Sequence, residues 1–197
     1  MRNVSSMDIK NLIRVYENAL DEQFCDKIIR QFKRDRKLQT GPGGQKLGDT
    51  YIGNPGSKWT ELRIDDLAKW HPIRQKLVES CQVHCQNYID NVEGYLPERA
   101  SLETFRLKWY RISKKEQFGP HIDVDCLERS NRCLAFLWYL NDVSQGGETN
   151  FMTLDHKVPA KKGNLLIFPP FWMYPHAGEA PETNDKYIIS TFLKFAA

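Results

Sequence analysis

The spacing of apolar residues changes along the chain. Residues 12–20, "LIRVYENAL", read as a short strand. Asp21 then stands where a helix N-cap belongs, and Phe24, Ile28, Ile29 and Phe32 recur at helical spacing as far as Lys37. A second helix is clearer. After Pro72, which suits a first helical turn, Ile73, Leu77, Val78, Cys81, Cys85, Tyr88, Ile89 and Val92 trace one stripe. Between the two helices, residues 40–58 hold six glycines and two prolines and read as a loop. From residue 100 the period shortens. "SLETFRLKWYRIS", "RCLAFLWYLNDV", "ETNFMTL", "GNLLIFPP", "WMYPHAG" and "DKYIISTFLKF" are strand-like, and "SKKEQFGP", "SQGGE", "AKKG" and "APETND" separate them as turns.

Two helices followed by six or more short strands at near-regular intervals predict an α+β, mainly β fold. A sandwich or barrel carries the helices on its outside. One domain over residues 1–197 is expected, with residues 1–99 as helical and loop support and 100–197 as the core. Apolar residues make up 41% of the chain, enough for a core without disulfides. The net charge of +3 and the lack of long basic runs argue against nucleic acid as partner. No apolar run is long enough to span a membrane, and the N-terminus lacks the apolar stretch of a signal peptide. Five cysteines fit no disulfide framework, so a cytoplasmic location is expected.

Candidate chemistry centres on "GPHIDVD". In an extended segment, residues two apart share a face. His121 and Asp123 therefore offer an imidazole nitrogen and a carboxylate oxygen to one point. Among the other histidines, His176 in "WMYPHAG" sits on a late strand that antiparallel pairing can bring opposite His121. Two histidines and one carboxylate form the facial triad of non-haem Fe(II) sites, which leaves coordination positions open. A structural zinc site would fill four.

The order of motifs "GPHIDVD", "LAFLWYLNDVSQGGETNF", "KKGNLLIFPP" and "PHAGEAPETNDKYIISTFLKF" resembles the 2-oxoglutarate- and Fe(II)-dependent dioxygenases, in particular their prolyl 4-hydroxylase-like branch. The resemblance spans about residues 105–195. It implies a double-stranded β-helix, the jelly-roll or cupin-like fold, with the N-terminal helices packed outside. It implies His121, Asp123 and His176 as metal ligands. Lys186, ten residues after His176, is implied to hold the far carboxylate of 2-oxoglutarate, helped by Tyr139, Tyr110 and Thr191. Arg106, Arg111 and Trp172 are candidate substrate contacts. The implied activity is hydroxylation of an unactivated C–H bond on a prolyl residue, an amino acid or a small metabolite, coupled to decarboxylation of 2-oxoglutarate to succinate. Dioxygen is the other substrate and ascorbate a possible reductant. The alternative is a non-catalytic cupin-like module that binds metal or senses 2-oxoglutarate or oxygen.

Several residues have plainer readings. Cys81 and Cys85, with His84 beside them, suit core filling better than zinc. Asp125 reads as a loop residue and His156 as an exposed turn residue. The glycines of "GGET" could simply satisfy turn dihedrals. Nucleic-acid demethylases of this fold carry arginines spaced six apart after the last histidine, and no arginine follows Arg132 here. Residues 40–58 are expected to form a lid over the mouth of the site.

Overall fold

The structure, a computed structural model, describes residues 8–42 and 56–196. The proposed lid falls largely on residues 43–55, outside the described residues. Two helices form where the apolar stripes predict them. Helix α1 spans Glu22–Arg34 and is capped by Asp21, whose side chain accepts from the Phe24 amide. Helix α2 spans His71–Val92 with Pro72 in its first turn. Cys81 and Cys85 are buried in the core, and His84 Nδ1 lies 2.8 Å from the carbonyl of Ser80.

Among the described residues, eleven strands make two open antiparallel sheets. The larger contains β1 (Arg14–Tyr16), β2 (Thr60–Arg63), β3 (Ala100–Leu102), β4 (Arg106–Tyr110), β6 (Arg132–Tyr139), β9 (Leu165–Phe168) and β11 (Lys186–Phe195). Their order is β1-β9-β6-β11-β4-β2, with β3 also paired to β11. The smaller contains β5 (Phe118–His121), β7 (Thr149–Phe151), β8 (His156–Val158) and β10 (His176–Gly178), in the order β5-β10-β7-β8. The fold is the expected jelly-roll type, built as two sheets that stay open rather than as a closed barrel.

The period-2 geometry of strands divides the apolar residues between two cores. On β6, Leu134, Phe136 and Trp138 join the cluster that includes Ile28, Phe32, Leu77 and Cys81 of the helices. Ala135 and Tyr139 join the other cluster, with Phe151 and Val158 of the small sheet. Strand β11 does the same: Tyr187 and Ile189 meet the helices, and Ile188 meets the small sheet. The central strands are thus buried on both faces, which is why their sequences read as nearly continuous apolar runs. Trp138 Nε1 donates to Ser80 Oγ and pins α2 to the sheet.

The N-terminal half does more than the expected helical and loop support. Its β1 pairs with β9 and its β2 pairs with β4, extending the large sheet at both ends. Strands β9 and β4 would otherwise expose unpaired backbone edges. His156 opens β8 rather than lying in a turn, and it is half-buried. The "GGET" glycines meet a backbone requirement. Gly146 and Gly147 have φ of +69° and +72°, and a Cβ on Gly146 would lie 2.4 Å from the Ala180 carbonyl oxygen.

Candidate metal and cosubstrate site

The chemistry-bearing side chains gather between the two sheets. Strands β5 and β10 run antiparallel in a register that sets His176 directly opposite His121. Asp123 follows two residues after His121, just beyond the end of β5. Its backbone is held there by Arg132, which donates to the Asp123 carbonyl at 2.7 Å, and by the next residue, Val124, whose amide donates to the carbonyl of Pro170. One ligand atom from each of His121, Asp123 and His176 lies within 4.8 Å of the others. His121 Nε2 is 3.5 Å from Asp123 Oδ1, and His176 Nε2 is 3.6 Å from Asp123 Oδ2.

The outer ring atoms fix the tautomers. His121 Nδ1 lies 2.9 Å from the Gly119 carbonyl and His176 Nδ1 lies 3.0 Å from the Tyr174 carbonyl. A carbonyl only accepts, so each Nδ1 carries the hydrogen and each Nε2 presents a lone pair to the centre. Phe118 stacks on His121 at 3.6 Å between centroids, and Phe168 meets His176 edge-on at 4.9 Å. Burial pushes the His176 imidazole down to about 4, against the opposing pull of Asp123. Burial alone would raise Asp123, but His176, His121 and Arg132 hold it well below the usual carboxylate range. Neutral His176 and ionised Asp123 are the forms that bind a divalent cation. The donor set of two imidazoles and one carboxylate, with open sides, fits Fe(II).

Lys186 opens β11, is 1% exposed, and lines the same chamber. Its ammonium lies 5.4 Å from the Tyr110 ring centroid and 5.9 Å from that of Tyr139. Among the described residues it forms neither a hydrogen bond nor an ion pair. Burial pushes it down to about 7, although Glu148 and Glu179 pull the other way. An ammonium buried without an anion is costly, and an anion entering the chamber would relieve that cost.

Tyr110 lines the chamber. Tyr139 is fully buried beside it and its hydroxyl is 2.7 Å from Thr149 Oγ1, so Thr149 is the hydroxyl that reaches the chamber from this pair. Thr191 does not reach it. Lys186, Ile188, Ser190 and Phe192 of β11 face inward, so Thr191 points to the other side and donates to the Glu103 carbonyl at 2.7 Å. The inward hydroxyl on this strand belongs to Ser190. A one-residue change of register puts a side chain on the wrong face.

A groove of about 630 Å³ leads to the triad. Arg106 lines it, with NH1 3.0 Å from the fully buried Glu61. Arg111 does not: its guanidinium is held by Glu116 and Thr60 and lies over Trp109. Trp172 is 73% exposed and lines neither the chamber nor the groove. Asp125 is on the groove rim, paired with Arg129 at 2.6 Å. Sequence reasoning missed Lys108, Glu61, Glu103 and Arg132, all of which line the groove. Alternation from Tyr110 along β4 would have placed Lys108 on the inward face.

The sequence profile of the 2OG-Fe(II) oxygenase superfamily matches residues 107–194. No curated protein sequence matches the chain. Solved structures do. The viral collagen prolyl hydroxylase from Paramecium Bursaria Chlorella virus-1, solved as its 2OG complex, has a TM-score of 0.71 at 18% identity over 94% of this chain and 97% of its own. A prolyl hydroxylase from Trichoplax adhaerens, in complex with a hypoxia inducible factor oxygen degradation domain peptide fragment, has a TM-score of 0.68 at 16% identity over 94% and 84%. A Pseudomonas putida prolyl-4-hydroxylase has a TM-score of 0.64 at 14% identity over 94% of each chain. At these identities the likeness carries the fold, while the profile match carries the family and, with it, Fe(II) and 2-oxoglutarate. Residues 107–194 belong to the 2OG-Fe(II) oxygenase superfamily.

Proposed function

We propose that the protein is a hydroxylase in which His121, Asp123 and His176 hold Fe(II) and Lys186 receives the far carboxylate of 2-oxoglutarate. The observation that carries this reading is one chamber with two opposite needs. At one end three donors converge with lone pairs and a carboxylate facing inward. At the other a buried ammonium lacks an anion among the described residues. A dicarboxylate that chelates at one end and is neutralised at the other meets both needs.

Iron with 2-oxoglutarate and dioxygen supplies the oxidant for hydroxylating an unactivated C–H bond, with release of carbon dioxide and succinate. The chain supplies the rest. The Gly119 and Tyr174 carbonyls hold the imidazoles in their metal-binding tautomers. Phe118, Phe168 and Ile188 keep the chamber apolar and limit water. Tyr110 flanks the ammonium within the chamber, and Thr149, held by the Tyr139 hydroxyl, offers its own hydroxyl to the cosubstrate carboxylate. The groove beyond Asp123 takes the substrate, with residues 100–197 as the catalytic core. A prolyl residue is supported by the three prolyl hydroxylases of similar fold. A free amino acid or small metabolite is the other substrate class.

The test is Fe(II)-dependent conversion of 2-oxoglutarate to succinate by the purified protein, with ascorbate as reductant. His121→Ala, Asp123→Ala and His176→Ala are each expected to abolish it. Wild-type iron content and turnover in His176→Ala would overturn the assignment, and absence of turnover in the wild-type protein would favour the non-catalytic module.

A further inference from the structure

The groove above the triad carries a charge pattern that points to the substrate. Four cations line it, and three are matched by a carboxylate. Arg106 pairs with Glu61 at 3.0 Å, Arg129 with Asp125 at 2.6 Å, and Arg132 with Glu103 at 2.8 Å. The fourth, Lys108, forms no hydrogen bond or ion pair among the described residues. Glu61 stands opposite Lys108 in the β2–β4 register, but its oxygens are taken by Trp59 Nε1 at 2.8 Å and Arg106 NH1. Asp123 is the remaining carboxylate of the groove, and the proposed metal would use it. With the metal in place the groove therefore keeps one cation with no carboxylate in contact among the described residues.

The position of that cation is specific. Lys108 lines both the outer groove and the inner chamber, so it stands where one opens into the other. Its ammonium lies 5.3 Å from the ring centroids of Trp59 and Phe118. Phe118 in turn stacks on His121. An anion held by Lys108 would rest over this aromatic floor next to a metal ligand. Lys186 is already assigned to the cosubstrate and lies in the inner chamber only. Burial lowers the Lys108 ammonium to about 8, against the pull of Glu61, so a second anion there relieves a cost that the empty groove carries.

We infer that the substrate presents a carboxylate to Lys108, which thereby fixes the distance between that carboxylate and the C–H bond facing the metal. This rests on the hydroxylase reading and narrows its substrate class. The carboxylate has two sources, the α-carboxylate of a free amino acid or an acidic side chain within a peptide. Neutral blocked peptides are disfavoured.

The experiment uses matched probes: L-amino acids, including L-proline, against their carboxamides, and blocked peptides carrying Glu against the same peptides carrying Gln. Two readouts run in parallel. One is stimulation of succinate formation over the substrate-free rate. The other is relaxation of probe protons by the Mn(II)-loaded protein with 2-oxoglutarate, which needs no turnover and reports proximity to the metal. At least one carboxylate probe is expected to surpass its amide by about tenfold or more in apparent affinity. Lys108→Met should remove that preference, Lys108→Arg should keep most of it, and the affinity for 2-oxoglutarate should be the same in all three proteins. The α-carboxylate and side-chain arms tell the two sources apart. If no carboxylate surpasses its amide in either readout, or Lys108→Met keeps the preference, the inference is overturned. If wild-type protein makes no succinate while the relaxation preference depends on Lys108, the hydroxylase reading fails and the carboxylate site stands.

Discussion

Replacing Lys186 with Met should make the protein more stable while destroying the proposed cosubstrate site. Burial lowers this ammonium from 10.5 to about 7. At about 1.4 kcal/mol per pH unit, holding the charge inside the fold costs ~5 kcal/mol when the group is fully protonated. The sign follows from the lowered folded-state value. Below pH 7 the lysine is charged in both the folded and the unfolded chain, and the cost is fully present. Between about 7 and 10.5 the folded group is already neutral, and the cost shrinks as pH rises; above 10.5 it vanishes. At about pH 7.5 the remaining cost is ~4 kcal/mol, and relaxation around the charge returns part of it. Met has a similar unbranched stem and can fill the space between Tyr110 and Tyr139. A gain of about 2 kcal/mol or more is therefore expected for the metal-free, ligand-free variant in urea titrations, declining as pH is raised. The same titrations with 2-oxoglutarate and Mn(II) give the second half of the test. Relative to Mn(II) alone, wild type should gain about 2.7 kcal/mol from 2-oxoglutarate at a hundredfold excess over Kd, and the variant almost nothing at that concentration. A variant no more stable than wild type, or one stabilised equally by 2-oxoglutarate, would refute the reasoning.

Further outcomes follow from neighbouring contacts. Lys186→Arg keeps a cation whose charge does not titrate near neutrality, so calorimetry in buffers of different ionisation enthalpy should find proton uptake on 2-oxoglutarate binding at about pH 8 in wild type and none in the variant. Arg132→Met removes the hydrogen bond to the Asp123 carbonyl and unpairs Glu103, and Mn(II) affinity by equilibrium dialysis should fall about tenfold or more while His121 and His176 stay in place. Gly146→Ala puts a Cβ 2.4 Å from a backbone oxygen at a positive φ, and should cost about 2 kcal/mol or more in denaturant titration. A loss smaller than about 0.5 kcal/mol would mean that the turn relaxes freely.

The sequence alone determined the local elements and the donor types. Asp21, Pro72 and the apolar stripes place both helices because caps and 3.6-residue periodicity act over a few residues. The His-x-Asp spacing put two candidate donors on one side of an extended segment for the same local reason, and the order of motifs supplied the distant histidine. The tertiary structure decided what depends on pairing. Register alone sets His176 against His121, and register also turns Ser190 inward and Thr191 away. Nothing within a few residues of Arg14 or Thr60 tells that β1 and β2 complete the large sheet, because strand pairing is fixed by partners far along the chain. The same holds for charge. Arg106, Lys108, Arg129 and Arg132 look alike as a sequence, and only the placement of Glu61, Glu103 and Asp125 beside three of them leaves Lys108 as the groove cation with no carboxylate in contact among the described residues. Whether a buried ion is matched or waiting for a ligand depends on separations of a few ångströms across the fold, and the chain sets those separations only when it has closed.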